Sequence, residues 1–353
     1  MATLARRDDG ALGQGFALWC ARRWPDLAFE VAELTRPSAG WSNETLLVTM
    51  RSPARDRNER FVVRLPPPLP TYPTYDLAAQ ATVLEALTPS AIPVPDVVAF
   101  EADEQWLGAP FLVMTHEPGR PAGEAPALDS WIMDAPLDQQ TRMHDGFVAT
   151  LASIHRFDWR ASELDLVLRG GERSLASEIT WWKNYLDWAS DGAPTAALAE
   201  TLAWCATTAP VSEPAASLCW GDARLGNVLF TEDRRVSSVL DWELASIGPA
   251  ELDLAWYLAL DELTTHFTGG PVPGFPARPE VIAGYERGLG REVVDLEWHE
   301  IFALARSVAV NERQARLAAM SEISYPGVAG DRNPVLRHLV RRVDAFPSDT
   351  PRR

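Results

Sequence analysis

The sequence predicts an α+β chain of two lobes, a small β-rich N-terminal lobe and a larger, mainly helical C-terminal lobe. Three observations carry this. Residues 29–115 are strand-rich, helical periodicity dominates beyond residue 126, and a single short hairpin at 227–240 interrupts the helical part. At 353 residues the chain is long enough for two cores.

The elements follow in order. Residues 1–28 read as a helix, with Leu12, Phe16, Trp19 and Cys20 at helical spacing. Thr45–Met50 and Phe61–Leu65 are short β-like runs separated by the polar stretch SPARDRNE, which suits a hairpin loop. Pro66, Pro67 and Pro68 end the second run, because proline donates nothing to a ladder. Asp76–Leu87 reads as a helix with Leu77, Ala81, Leu84 and Leu87 on one stripe. Val97–Phe100 and Phe111–Met114 are two further strands. Pro118, Gly119, Pro121, Gly123 and Pro126 make residues 116–126 a linker-like hinge. In the second lobe, 127–346, helices are expected over 137–157, 178–190, 194–208, 251–262, 280–289, 297–321 and 331–345, with 347–353 as a tail. The exception is Asn227–Phe230 and Val236–Leu240, two strands joined by the charged turn TEDRR.

Composition narrows the function. The chain holds 32 Lys and Arg against 49 Asp and Glu, a net charge of −17 that repels a phosphate backbone and disfavours nucleic acid as a partner. No run of 18 apolar residues occurs, so no membrane span is expected. The N-terminus has no apolar segment of the secretory kind, and Cys20, Cys205 and Cys219 give neither a disulfide framework nor CxxC spacing; together these suggest a cytoplasmic protein with buried thiols. The six histidines form no HExxH pair, and no GxxxxGK[ST] loop is present. Gly13-Gln-Gly15 and Gly269-Gly270 read as isolated glycine turns.

The chemistry concentrates in Leu218–Phe230 and Val239–Glu243. Asp222 and Asn227 have the D-x-x-x-x-N spacing of a phosphoryl-transfer catalytic loop, and Asp241 follows fourteen residues later at the end of an apolar strand. A carboxylate suits receipt of a hydroxyl proton, and a carboxylate with an amide carbonyl supplies the hard oxygens magnesium prefers. The surrounding frame, an apolar run before the loop and a hairpin after it, makes the spacing specific.

The stretches PFLVMTHEPGR (110–120), LASIHRFDW (151–159), WGDARLGNVLF (220–230) and VLDWELASIGPAELDLAWYL (239–258) resemble the aminoglycoside phosphotransferase and choline-kinase-like superfamily, over about residues 30–340. Within it the chain is most similar to the branch with kinase-like domains fused to acyl-CoA dehydrogenases. The resemblance implies a protein-kinase-like fold and ATP- and Mg2+-dependent transfer of the γ-phosphate to a small-molecule alcohol. It implies Asp222 as catalytic base, Asn227 and Asp241 as magnesium ligands, and Gly40, Trp41, Ser42 and Asn43 in the loop over the ATP phosphates. Arg64 stands at the place of the phosphate-contacting lysine, with Gln80 where its glutamate partner is usual. Phe111–Glu117, including Met114, Thr115, His116 and Glu117, would read adenine through backbone groups. Trp220 replaces the histidine of the commoner H-G-D form, a mainly structural position.

Some residues carry two readings. Arg224 either stabilises the transferring phosphate or is a surface arginine or a partner of Glu243, and Glu243 either assists a second metal or serves a structural pair. Asp253 and His155 read as structural, the one bracing the catalytic loop and the other buried on its helix. Trp181, Trp182, Tyr185 and Trp188 form either core or the wall of an acceptor pocket. A polycationic acceptor would need converging carboxylates, for which Asp187 and Asp191 are a thin supply. The functional alternative to an enzyme is a nucleotide-binding pseudokinase acting as a regulatory or interaction module, motivated by Arg64 and Gln80.

Overall fold

The computed structural model describes residues 6–37, 42–168, 174–211, 214–321 and 330–346. Residues 1–5, Gly40, Trp41 and the tail therefore lie outside the described residues. The chain divides into two compact units, one of Met1–Glu85, Pro95–His116 and Gln314–Pro326, the other of Ala86–Val94, Glu117–Arg313 and Gly327–Arg353.

The first unit is built on a five-stranded antiparallel sheet. Its elements are α1 (Asp9–Arg23), β1 (Glu30–Thr35), β2 (Glu44–Arg51), β3 (Glu59–Leu65), α2 (Leu77–Leu87), β4 (Val97–Glu101) and β5 (Phe111–Thr115), with strand order β1-β2-β3-β5-β4. Asp8 caps α1 by accepting from the Ala11 amide at 2.8 Å. The predicted stripe Leu12, Phe16, Trp19 and Cys20 is buried and joins Leu46, Val48 and Met50 of β2, Phe61 and Val63 of β3, and Phe111 and Val113 of β5 in one core. Alternation along β2 sends every second side chain to that core, as a half-buried strand requires. Gly15 is not in a turn but inside α1, where a Cβ would lie 2.0 Å from the Trp106 carbonyl oxygen, so glycine allows the close approach.

β1 is the strand the apolar runs do not announce. It is a largely exposed edge with a register shift between Val31 and Glu33, so it carries no hydrophobic alternation. Most of the stretch expected to read adenine, Phe111–Glu117, is strand: Phe111–Thr115 lies in the sheet between β3 and β4.

The second unit holds β6 (Arg120–Pro121), α3 (Ser130–Met133), α4 (Leu137–His155), α5 (Leu164–Val167), α6 (Leu175–Ala189), α7 (Ala196–Thr208), β7 (Ser217–Cys219), β8 (Val228–Phe230), β9 (Val236–Val239), β10 (Ser246–Gly248), α8 (Glu251–Thr268), α9 (Arg278–Leu289), α10 (Leu296–Met320, counted with the first unit from Gln314) and α11 (Pro334–Ala345). The linker-like stretch contributes β6, which pairs with β8 on the outside of a three-stranded sheet, a place where proline is tolerated. β7 and β10 form a two-stranded sheet, and Ser217, Leu218 and Cys219 pair with Gly248, Ile247 and Ser246. That pairing delivers the chain to Trp220. The β8–β9 hairpin sets Val228 opposite Val239, which delivers Asn227 and Asp241 to the same end of the hairpin. Asn227 closes a 3-10 turn, Leu225–Asn227, rather than opening the strand.

The three thiols are free and buried, and burial pushes that of Cys20 up to about 12. Among the described residues no helix is long and apolar enough to cross a membrane.

Candidate active site

Asp222 sits in the turn between β7 and β8, held at both oxygens. Arg224 Nε donates to Oδ2 at 2.9 Å and Asn227 Nδ2 donates to the same oxygen at 2.7 Å. Trp256 Nε1 donates to Oδ1 at 2.9 Å. Burial alone would raise the carboxyl pKa, but the Arg224 charge and the hydrogen bonds from Arg224, Asn227 and Trp256 outweigh it, so Asp222 lies below its ordinary value and is ionised at neutral pH. Burial works against the Arg224 charge too; Asp222 and Glu124 reverse that and raise its pKa. Arg224 thus pairs with Asp222 and Glu124, and not with Glu243.

Asn227 is fixed by its amide nitrogen, which also donates to the Asp222 carbonyl at 3.1 Å. Its Oδ1 accepts no hydrogen bond from the described residues. Its own carbonyl accepts from the Leu240 amide at 2.8 Å, which ties the catalytic loop to the residue before Asp241. Asp241 has φ 62, in the left-handed region, so the chain turns sharply as it leaves β9. The donor set fits a magnesium ion: one amide oxygen left over by its own hydrogen bonding, and one carboxylate on the neighbouring strand end. Glu243 follows two residues on, half-buried.

A second layer holds this loop. Asp253 Oδ1 accepts from the Gly221 amide at 2.9 Å, and Oδ2 accepts from the Trp220 amide at 2.6 Å. His155 Nε2 lies 3.0 Å from Oδ2, and His155 Nδ1 lies 2.5 Å from the Tyr285 hydroxyl. His155, Cys219 and Asp253 cluster closely enough to hold a metal, but the first and last are spent on this network and Cys219 faces the Pro249 carbonyl at 3.4 Å. Both Asp253 and His155 are therefore structural, as expected. Trp220 also acts through its ring: Nε1 donates to the carbonyls of Leu240 at 2.8 Å and Asp241 at 3.0 Å. The residue in place of the usual histidine clamps the two loops together. Gly221 has φ 94, and a Cβ there would lie 2.3 Å from the Leu244 carbonyl oxygen.

The remaining residues from the sequence lie elsewhere. In the second unit only Glu117 joins the residues above, at its first boundary. Ser42, Asn43, Arg64, Gln80, Met114, Thr115 and His116 belong to the first unit. Arg64 is buried on β3, in register with Thr45 and Leu112, and Gln80 is buried on α2. The Thr115 amide donates to the Asp96 carbonyl at 2.9 Å and the His116 amide to the Arg60 carbonyl at 3.3 Å, so both donors are already committed. Of the aromatic set on α6, Trp182 and Tyr185 are core; Trp181 and Trp188 are half-buried.

Three participants were not visible in the sequence: Glu124, Trp256 and Arg306. Trp256 lies one helical turn after Asp253, so the same face of α8 carries both. Arg306 interrupts the apolar run FALARSVAV, which is itself the signal of a buried charge.

A mixed unit with a five-stranded antiparallel sheet, a mainly helical unit, and an Asp–Arg–Asn loop followed by an aspartate at a hairpin end are the parts of a protein-kinase-like fold. The chain belongs to the phosphotransferase enzyme family (APH), whose profile matches residues 33–300. Among solved structures, a putative aminoglycoside phosphotransferase from Ralstonia eutropha JMP134 superposes with a TM-score of 0.72 at 21% identity, covering 94% of this chain and 98% of that one. An aminoglycoside phosphotransferase in ternary complex with AMP-PNP and hygromycin B gives 0.56 at 12% identity, covering 93% and 98%. Human acyl-CoA dehydrogenase family member 11 is 27% identical over 260 residues, which is 70% of this chain and 32% of that protein. The chain thus spans about a third of the length of such curated relatives.

Proposed function

We propose that the protein is an ATP- and magnesium-dependent O-phosphotransferase acting on the hydroxyl of a small molecule. The observation that carries the reading is Asp222, ionised, pinned by Arg224 and Asn227, and next to an Asn227 amide oxygen that its own hydrogen bonds leave over. Nucleotide use is supported by the AMP-PNP complex of the solved relative.

In this reading Asp222 orients the acceptor hydroxyl and receives its proton as the oxygen–phosphorus bond forms and the bond from the γ-phosphorus to the bridging oxygen breaks, releasing ADP. A carboxylate with a depressed pKa is a weak base toward a free alcohol. It suits a loose transition state, in which the proton becomes acidic only as the phosphoryl group arrives. Asn227 and Asp241 would hold magnesium, which supplies charge neutralisation on the phosphates when bound. Arg224 adds positive charge beside the reacting oxygen, and Glu243 supports the metal side of the site. Ser42, Asn43 and Arg64 are assigned to the phosphates, Gln80 to support of Arg64, and Met114–Glu117 to the adenine. An intact Asp222–Arg224–Asn227 cluster favours an active enzyme over a nucleotide-binding interaction module.

Calorimetry with ATP tests the metal assignment. Wild-type affinity should rise with magnesium, and Asp241→Ala should lose that dependence while retaining the fold. Equal magnesium-dependent affinity in both proteins would remove Asp241 from the metal site.

A further inference from the structure

Asp222 is the end of a buried chain of contacts that starts far from the catalytic loop. On α6, Glu178 Oε1 accepts from Trp182 Nε1 at 3.0 Å, with both residues buried. The Trp182 ring lies 4.9 Å from the guanidinium of Arg306 on α10, and the Trp256 ring of α8 lies 4.7 Å from the same guanidinium. Arg306 is 1% exposed, and its Nη2 donates to the Gly221 carbonyl at 3.0 Å, the peptide oxygen directly before Asp222. Trp256 then donates to Asp222 Oδ1. A buried guanidinium between two indole rings is an expensive arrangement to keep for packing alone, where an apolar side chain of similar volume would do.

Lone-pair counting gives this chain a purpose. A carboxylate offers about four acceptor sites, two on each oxygen. Arg224 and Asn227 fill both sites of Oδ2; Trp256 fills one of Oδ1. One site remains, on Oδ1, beside the indole edge.

We propose that Trp256 is a positioning residue that fixes Oδ1 of Asp222 as the atom the acceptor hydroxyl addresses, and that Arg306, stacked between Trp256 and Trp182, holds the indole in place. The inference rests on the phosphotransferase reading above. Without the Trp256 N–H the carboxylate keeps its charge, but only the Arg224 and Asn227 bonds to Oδ2 hold it, so Oδ1 is unfixed and the group can rock about its last torsion. The hydroxyl then meets two orientations, of which one is productive.

Two measurements on the full chain test this, with water as the acceptor probe so that no other alcohol is presumed. The first is phosphate release from ATP and magnesium by wild type, Trp256→Phe, Arg306→Lys and Asp222→Asn. The second is the 1H–15N spectrum of the tryptophan side chains, with the Trp256 indole resonance assigned by its loss in Trp256→Phe. Trp256→Phe keeps a ring against Arg306 and removes only the donor, so kcat should fall at least about 10-fold while the KM for ATP stays within about twofold. Asp222→Asn should move the Trp256 indole resonance, and Arg306→Lys should move it as well as lower kcat. Unchanged kcat in Trp256→Phe, with Asp222→Asn inactive, overturns the positioning role and leaves the phosphotransferase reading standing. An indole resonance indifferent to Asp222→Asn overturns it too. No phosphate release by wild type and no phosphorylated product from a panel of small-molecule alcohols, with the indole resonance still responding to Asp222→Asn, overturns the phosphotransferase reading and takes the positioning role with it, leaving only the hydrogen bond.

Discussion

Asp253→Asn removes the acceptor that holds the two peptide groups before Asp222. The substitution preserves shape, so its cost is read from hydrogen bonds alone. An amide presents one oxygen where the carboxylate presents two, and the native oxygens receive the Gly221 amide on one side and the Trp220 amide with His155 on the other. Whichever way the amide turns, one buried backbone N–H faces an NH2 group, at about 1–3 kcal/mol. The two bonds that survive lose a charged acceptor, at about 1 kcal/mol each. The expected loss is about 3–5 kcal/mol, concentrated in the catalytic loop. Hydrogen–deuterium exchange of a peptide covering residues 217–225 is the assay, because it reads local opening without requiring one unfolding transition for a chain of two units. Protection of the Trp220 and Gly221 amides should fall by roughly 10²- to 4 × 10³-fold, at 1.4 kcal/mol per tenfold. Unchanged protection at those two amides would refute the bracing role.

Two further substitutions probe the same framework. Gly221→Ala should destabilise the protein by about 1–3 kcal/mol, because the position has φ 94 and the new Cβ meets the Leu244 carbonyl; an unaltered melting temperature would contradict this. Glu251 is buried, which would raise its pKa, but two hydrogen bonds and the charge of Arg291 hold it below its ordinary 4.5. Its contribution is therefore complete above that value and is lost as pH falls through the lower folded value. Glu251→Gln should cost about 1–3 kcal/mol at pH 7, discounted for the part of Arg291 that faces water, and the difference from wild type should shrink below about pH 4.5 in denaturant titrations.

Local pattern explains which parts of the molecule could be read from sequence. The α1 and α2 stripes depend on spacing within a single element, and they are buried as the spacing requires. Asp222 and Asn227 are five apart, so one 3-10 turn between them suffices to bring their side chains together. Asp253 reads as structural from the stretch ELDLAW and His155 from the apolar face of its helix, although their partners lie far along the chain. Edge strand β1 and the two-residue β6 are different: their pairing satisfies backbone groups without burying an apolar face, so no periodicity reports them. Trp256 and Arg306 have distant partners: the indole reaches Asp222, 34 positions away, and the guanidinium, whose burial the run FALARSVAV signals without naming its partner, reaches Gly221, 85 positions away. The α6 aromatics show the converse limit. Helical spacing places Trp182 and Tyr185 on an inward face, and burial makes them core rather than pocket wall.

The central claim is that Asp222 receives the acceptor proton in phosphoryl transfer. The most direct measurement is ATP-dependent phosphorylation of a panel of small-molecule alcohols, followed by mass spectrometry, for wild type and Asp222→Asn. Wild type should add one phosphate to at least one alcohol with release of ADP. Asp222→Asn should turn over about 10²–10⁴-fold more slowly with nucleotide affinity little changed, the usual worth of a positioned acid–base group. An Asp222→Asn enzyme as fast as wild type on the same alcohol would contradict the claim.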